Sequence, residues 1–167
     1  MRILGIDPGT ATTGFGVIEA PAKEKFQLIN FGWITTEKEE DPDARLKSIY
    51  NQITRLIREQ KPQVMAIEKL FFYNNAKTAM KVSQAIGVIR LAAFNQKLTI
   101  FEYAPLKIKA VVTHNGWAKK EEVKKTVRKI LSFRTPRLKK THFDDAADAL
   151  GIAICHAKII FEEKGGE

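Results

Sequence analysis

Two acidic residues each end a short apolar run of the sequence. Asp7 follows the run 3–6, and Glu68 follows the run 64–67. Both runs have the length and composition of buried strands, and an ionised carboxylate in such surroundings costs several kcal/mol unless a partner compensates it. Functional groups gather at the carboxyl ends of strands in sheets of this kind. The two acids are therefore candidates for one common site.

More carboxylates occur late in the chain, in Asp144-Asp145-Ala146-Ala147-Asp148. The residues after Asp148 are apolar nearly all round a helix, so this helix should be buried on more than one side. Its acidic start is then not a freely solvated face. On a helix Asp145 and Asp148 lie about 60° apart, and Asp144 and Asp148 lie about 40° apart. Spacing alone accepts either neighbour as the partner of Asp148.

Several carboxylates directed at one place repel one another unless a cation lies between them. Hard oxygen ligands suit Mg²⁺ or Mn²⁺, and two such ions about 4 Å apart form a clamp that cleaves phosphodiesters. Each acid also has an ordinary explanation. Asp7 could begin a turn at Asp-Pro-Gly, Glu68 could pair with a lysine, and Asp144 and Asp145 could favour a helix N-terminus through its dipole. Their combination in one basic chain favours the metal site.

The positive charge of the chain is concentrated in one segment. The sequence has 28 Lys and Arg against 19 Asp and Glu, a net charge of +9. Ten basic residues and two acidic residues fall between Lys119 and Lys140, which is nearly the whole excess. This asymmetry favours a polyanionic partner such as nucleic acid.

Length and composition exclude several classes of protein. The 167 residues predict one domain, and 44% hydrophobic with 28% charged residues excludes a disordered or collagen-like chain. The one cysteine, Cys155, excludes an internal disulfide and is typical of a reducing compartment. No apolar run reaches membrane-spanning length, and Met1 leads directly into a core-like run. We therefore expect a cytoplasmic protein with no signal peptide and no membrane partner.

Apolar patterning predicts the elements that would position the acids. Strands are predicted at 2–7, 14–19, 26–34, 64–68 and 98–102. Helices are predicted at 42–61, 76–96, 105–114, 120–131 and 143–161, with a basic loop at 133–140. Three successive strands followed by alternating helices and strands predict an α/β fold, with one mixed five-stranded sheet and helices on both faces.

Four blocks of the sequence resemble the RuvC family of bacterial Holliday junction resolvases. The blocks are Ile3-Leu4-Gly5-Ile6-Asp7-Pro8-Gly9-Thr10, Ala66-Ile67-Glu68 with Phe71, Phe101-Glu102-Tyr103-Ala104 and Asp145-Ala146-Ala147-Asp148-Ala149-Leu150. They occur in family order from Met1 to about His156. The resemblance implies a single ribonuclease H-like nuclease domain over 1–167, and we expect a disordered tail from about residue 162.

The resemblance also implies an activity, cofactors and partners. The activity is a pair of symmetric phosphodiester cuts in a four-way DNA junction during recombination and repair. The cofactors are two Mg²⁺ ions per subunit, for which Mn²⁺ would substitute. The partners are a second copy of the chain, the junction DNA and a branch-migration helicase complex.

Site residues follow from the resemblance by position. Lys109 and Lys120 match two functional lysines of the family, and ordinary surface charge is the alternative explanation for both. Phe71 matches an aromatic residue that contacts bases near the junction centre. Packing in the core or in a dimer is the ordinary explanation for Phe71. The residues that match the metal-binding catalytic tetrad are Asp7, Glu68, Asp145 and Asp148.

The tetrad motif selects Asp145 rather than Asp144 as the partner of Asp148. Asp144 is then expected in the first turn of the helix, where it acts on the helix dipole. One bound ion would activate a water for in-line attack and the other would stabilise the leaving 3′ oxygen. The sequence departs from the family at Ile86, where an arginine is expected in Gly-Gln-Ala-Arg-Gly.

Three alternatives belong to other classes of protein. The residues Asp7-Pro8-Gly9-Thr10 also resemble the first phosphate loop of actin-like ATPases and sugar kinases, which need two lobes and a second Asp-Gly-rich loop. Another ribonuclease H-like nuclease, such as one that trims ribosomal RNA precursors, is a closer alternative. A non-catalytic DNA-binding scaffold is the third, and it gives no chemical reason to keep all four acids.

Overall fold

Five strands form one mixed sheet in the order β3-β2-β1-β4-β5. The computed structural model describes residues 1–70, 76–132 and 140–164. The first three strands are antiparallel neighbours, whereas β4 and β5 run parallel to β1. The strands are β1 (Arg2–Asp7), β2 (Thr12–Ala22), β3 (Lys25–Thr35), β4 (Val64–Glu68) and β5 (Thr99–Tyr103).

In the described parts of the chain, five helices cover the two faces of this sheet, so the predicted arrangement is confirmed. The first helix begins as its sequence predicts, because the Asp41 side chain accepts hydrogen bonds from the amides of Asp43 and Ala44 with Pro42 in the first turn. The helices are α1 (Pro42–Gln60), α2 (Ala76–Asn95), α3 (Pro105–Thr113), α4 (Lys120–Leu131) and α5 (Lys140–Lys164).

The sheet divides the apolar interior into two cores. Alternating residues of β1 point to opposite faces, so Leu4 and Ile6 pack under α1 and α2 whereas Ile3 packs under α3, α4 and α5. Asp7 lies four residues after Ile3 on the same strand, so its side chain lies on the same face of the sheet, which is the face covered by α5. The central strand thus contributes apolar side chains to both cores and a carboxylate to only one face.

Glycines allow α5 to lie unusually close to β1 and β2. A Cβ added to Gly5 would lie 2.1 Å from the carbonyl oxygen of Ala149, and one added to Gly14 would lie 2.1 Å from the carbonyl oxygen of Asp145. Gly16, which pairs with Gly5 across the two strands, would meet the side chain of Leu150 at 2.6 Å. No side chain fits between the helix and these strand positions, so α5 rests on the backbone of the sheet.

The last helix differs from its prediction at both ends. It begins at Lys140 rather than 143, and it continues to Lys164 rather than ending near 161. Asp144 therefore lies beyond the first turn, and the expectation that it acts on the helix dipole is wrong. Residues 133–139 and 165–167, which include most of the predicted basic loop and the end of the predicted tail, lie outside the described residues. Within the described ranges, no helix is long and apolar enough to cross a membrane.

The close packing predicts opposite effects for two glycine substitutions. In Gly14→Ala the new methyl group would overlap the backbone of α5, so we expect destabilisation by about 3 kcal/mol, roughly 6–12 °C in Tm. The matched control is Gly151→Ala within α5, whose Cβ would make ordinary contacts at 3.6 and 3.7 Å with Val127 and Val123. This control should be neutral or slightly stabilising, because alanine favours helix. Equal Tm values for Gly14→Ala and wild type would contradict the close approach of α5.

Candidate active site

Asp7 and Glu68 end two adjacent parallel strands. In the register of β1 and β4, Ile6 pairs with Ile67, so the next residue of each strand is one of the two acids. Alternation places both carboxylates on the face covered by α5, because Gly5 and Ala66 also face that side. The convergence of these two strand ends, predicted from the sequence, is present in the fold.

The acids of α5 reach the same place through the contact with Gly14. This glycine pairs with Asp7 across β1 and β2, and the backbone of Asp145 lies directly on it. Asp148 follows one helical turn later and is half-buried. A strand end and a helix that are far apart in sequence thus present their carboxylates to one another.

Asp7, Glu68 and Asp148 border a cleft of about 200 Å³, and Asp145 is not among its lining residues. Lys120 approaches from the first turn of α4, and its Nζ lies 3.3 Å from Oδ2 of Asp148. Both expected lysines contribute to the cleft. Its lining residues are Asp7, Glu68, Pro105, Ile108, Lys109, Lys120, Val123 and Asp148.

Burial and mutual repulsion make Asp7 the most strongly perturbed acid of the cleft. Burial is the largest cause, and the charges of Asp148, Glu68 and Asp145 add to it, so that the pKa of Asp7 rises to about 8. The positive charge of Lys120 opposes this rise. All four acids of the expected tetrad are therefore close enough to interact electrostatically at Asp7.

The pKa values of Glu68, Asp148 and Lys120, which border the same cleft, are also raised. Burial raises the pKa of Glu68, and the charge of Asp148 raises it further, whereas Lys120 and Lys109 lower it. Burial also raises the pKa of Asp148, against the lowering effect of Lys120. The charge of Asp148 in turn is the main cause of a raised pKa at Lys120. The cleft thus disfavours several simultaneous negative charges and favours a cation.

The donor set fits a hard divalent cation by its chemistry. It consists of carboxylate oxygens whose repulsion a cation would relieve, and among the described residues that line the cleft there is no sulfur or imidazole ligand. In the described parts of the chain, no three Asp, Glu, His or Cys side chains form a ready-made metal cage.

A buried lysine lies behind the cleft, and its role was not predicted from the sequence. Lys124 is only 5% exposed, and its Nζ lies 2.7 Å from Asp144 and 2.9 Å from Glu121. It connects α4, which carries Lys120, to the first half of α5. Lys124 belongs to the basic segment between Lys119 and Lys140, but its ammonium group is buried and paired with two acids rather than presented to a polyanionic partner. The burial of Lys124 could have been predicted from its position, because it lies beside Val123 and Val127 on the apolar stripe of the helix.

The predictions for Phe71 and Ile86 have different outcomes. Phe71 lies outside the described residues, so its contact with DNA bases stays a prediction. Ile86, which replaces the arginine expected from the family, packs against the core under α2. The side chain at position 86 therefore contributes to packing of the core.

Comparison with known proteins decides the family. The sequence model of Crossover junction endodeoxyribonuclease RuvC matches residues 3–156. This chain belongs to the RuvC family. The RuvC of Natranaerobius thermophilus is 46% identical over 159 residues, which is 95% of each chain. The RuvC of Moorella thermoacetica is 46% identical over 157 residues, which is 94% of this chain and 91% of the relative.

A solved RuvC structure confirms the expected ribonuclease H-like fold. It is described as T. thermophilus RuvC in complex with Holliday junction substrate, and it matches with a TM-score of 0.89 at 31% identity. The match covers 98% of this chain and 96% of that chain. Enzymes of the RuvC family depend on divalent metal ions. The acidic cleft is accordingly the candidate active site of this RuvC family member.

The raised pKa of Asp7 predicts how the metal-free protein responds to pH. Folding raises this pKa from 3.8 to about 8, so the folded state binds more protons than the unfolded chain between these values. The contribution of Asp7 to stability is fully present below pH 3.8 and is lost as the pH rises to 8. With a chelator present, wild type and Asp7→Asn should have similar Tm values near pH 4, and the variant should be more stable by several degrees near pH 8. Parallel Tm curves over this range would contradict the burial of Asp7 among the other acids.

Proposed function

We propose that this chain is a Mg²⁺-dependent endonuclease that resolves four-way DNA junctions by paired symmetric cuts during recombination and repair. The observation that carries the proposal is the cleft in which Asp7 and Glu68 from two strand ends meet Asp148 from α5, with Lys109 and Lys120 beside them. In a member of the RuvC family, this combination of carboxylates and lysines supports phosphodiester hydrolysis.

The four-way junction as substrate rests on the solved relative. The T. thermophilus structure contains a Holliday junction substrate, and its match extends over nearly the whole of both chains. The net charge of +9 on the present chain favours the same kind of polyanionic ligand. We carry this substrate over to the acidic cleft and its neighbouring lysines.

We assign Asp7, Glu68, Asp145 and Asp148 as the residues that hold two Mg²⁺ ions, with Mn²⁺ as a substitute. When bound, such ions supply the Lewis acid that activates a water and stabilises the leaving 3′ oxygen. The chain itself contributes the fixed position of the carboxylates, because two sit at strand ends and two on a helix packed against the sheet backbone. Rigid elements of this kind hold a site more accurately than loops do.

We assign the lysines to the DNA. Lys120 is 72% exposed and reaches from the solvent side to the carboxylate of Asp148. Its ammonium group can hold a phosphate next to the acids without reading sequence, and Lys109 on α3 can do the same from the other side of the cleft. Three further parts of the proposal are predictions from the family. They are the contact of Phe71 with bases, a branch-migration helicase partner and a cytoplasmic location.

Substitutions of the acids test the site and the activity together. Asp7→Asn, Asp145→Asn and Asp148→Asn should each reduce Mg²⁺-dependent cutting of a synthetic four-way junction by orders of magnitude, because each removes a ligand. Binding of the junction should persist, since the lysines are unchanged. The matched control is Asp144→Asn. It should lower stability by about 1–3 kcal/mol, because it removes a partner of buried Lys124, but it should retain most of the cutting activity.

The same assay separates the alternative functions. A linear duplex and a structured RNA are offered beside the junction in gels that resolve paired incisions. Preferential cutting of the RNA would make the chain an RNA-processing nuclease instead. Binding of the junction without any cutting by wild type in Mg²⁺ or Mn²⁺ would make it a DNA-binding scaffold. An inactive Asp144→Asn with an active Asp145→Asn would move the metal site by one residue.

We propose that the nuclease acts as a homodimer formed through α2. Met80, Leu91 and Phe94 are exposed apolar residues on one side of this helix, and Phe94 is 75% exposed. A Cβ added to Gly87 on the same side would meet nothing within 4 Å. An apolar helix face of this kind is typical of a surface that a partner covers. A second copy fits best, because paired cuts in a two-fold substrate need two symmetric sites.

Charge placed on this face should separate the subunits. Sedimentation at micromolar concentration should give wild type about twice the 18.9 kDa mass of one chain. Phe94→Glu should sediment as a monomer, because dimerisation would bury its charge in an apolar interface. Its Tm extrapolated to low concentration should match that of wild type, since the side chain is exposed in one subunit. A wild-type monomer that makes paired cuts would contradict the dimer.

A further inference from the structure

An exposed tryptophan lies on the connection between α3 and α4. Trp117 is 83% exposed and precedes Lys120 of the cleft by three residues. Tryptophan carries a large apolar ring, and leaving it in water forgoes the stabilisation that burial of this surface gives. A partner that covers the ring would recover that stabilisation.

The exposure of Trp117 does not come from a loosely held loop. The Trp117 amide donates a hydrogen bond to Oδ1 of Asn115 at 3.0 Å, and the Ala118 amide donates to the Asn115 carbonyl oxygen at 3.1 Å. The Thr113 hydroxyl donates to the same carbonyl at 3.0 Å. Ala118 is buried in the core beneath α5. The backbone on both sides of the ring is fixed, so the ring is presented in a defined place.

The loop that carries Trp117 joins two helices that line the acidic cleft, α3 through Pro105 and α4 through Lys120. A Cβ on Gly116 would lie 3.4 Å from the carbonyl oxygen of Leu106 and 3.7 Å from Cβ of Ala110, so the loop packs on α3. Leu106 is itself half-exposed, and its neighbour Pro105 lines the cleft. Trp117 and Leu106 are thus exposed apolar residues close in sequence to Lys120 and Pro105, which line the cleft, and this pair is called the apolar rim below.

The charge around the apolar rim selects one class of partner. Residues 104–120 contain four lysines and no acidic residue. Two of them, Lys109 and Lys120, line the cleft, and Lys107 and Lys119 are exposed beside the rim. A partner that suits this surface combines negative charge with a flat apolar face. A DNA strand has both, in its phosphates and in the faces of its bases.

We propose that Trp117 stacks on the exposed face of a nucleobase in the DNA strand whose phosphate enters the cleft. The proposal rests on the proposed function for its DNA ligand and adds a residue that holds the strand in place. Within an intact duplex both faces of a base are already covered by its neighbours. A four-way junction or a single strand offers a free base face, so the rim would favour these forms over linear duplex.

Fluorescence of Trp117 tests the stacking directly. The sequence has two tryptophans, so a Trp33→Phe protein reports on Trp117 alone. In a chelator, which prevents cutting, a four-way junction and single-stranded oligothymidylate should quench the emission strongly, and an intact duplex should quench it much less. Bound junction, measured by anisotropy, without quenching would overturn the proposal. Quenching by polyglutamate instead of DNA would assign the rim to an acidic protein segment.

Substitutions at Trp117 provide a second measurement that does not depend on Trp33. Trp117→Ala should weaken junction binding and raise KM by about tenfold, whereas Trp117→Phe should keep most of the affinity because phenylalanine also stacks. The cutting rate at saturating junction should change little in both. The matched control is Ile29→Ala, an exposed apolar position on β3 at the opposite edge of the sheet, which should bind as wild type.

The outcomes distinguish this proposal from the proposed function. If wild type cuts junctions and Trp117→Ala binds them as tightly as wild type does, the stacking is wrong and the nuclease activity stands. If single strands quench Trp117 but wild type cuts no DNA, the stacking stands and the activity is wrong. Equal losses in Trp117→Ala and Trp117→Phe would also overturn the proposal, because a loss that an aromatic ring does not rescue is not stacking.

Discussion

The contact between α5 and the glycines of β1 and β2 is the constraint on which the site depends. Backbone rests on backbone at Gly5 and Gly14, which no other residue type would permit at this distance. The helix thereby brings Asp145 and Asp148 to the strand end that carries Asp7. A helix held off by ordinary side chains would lie further from the sheet, and its acids would no longer interact with those of the strands.

The acidic cleft is locally unfavourable and is held together by the rest of the fold. Burial and mutual repulsion disfavour the charged form of Asp7, and the positive charge of Lys120 offsets this cost only in part. Two apolar cores supply the opposing stability from either face of the sheet. Lys124 adds a buried tie between α4 and α5 just behind the acids. Perturbed acids on a rigid support are typical of functional sites.

Much of the fold followed from local pattern, whereas parts of the site required tertiary information. The strand ends at Asp7 and Glu68 and the buried character of α5 were visible as apolar runs with acids at their ends. The choice of Asp145 over Asp144 needed the family motif, because helical spacing accepts both. The pairing of Asp144 with Lys124 could not be predicted, since it joins two helices whose contact is set by the core between them. The start of α5 at Lys140 could not be predicted for the same reason. Because the helix begins there, Asp144 lies beyond its first turn.

The order of the acids along the chain has a consequence for synthesis on the ribosome. Asp7 lies on β1, whereas Asp145 and Asp148 lie on α5, which follows the other elements in the described parts of the chain. A nascent chain can pair its antiparallel strands early, yet it cannot form the site until α5 has left the exit tunnel and docked on β1 and β2. Contacts over so many residues also form late in folding, because their loop closure is entropically costly. Until then the carboxylates of the strands and of α5 remain apart, and the acidic cleft does not exist.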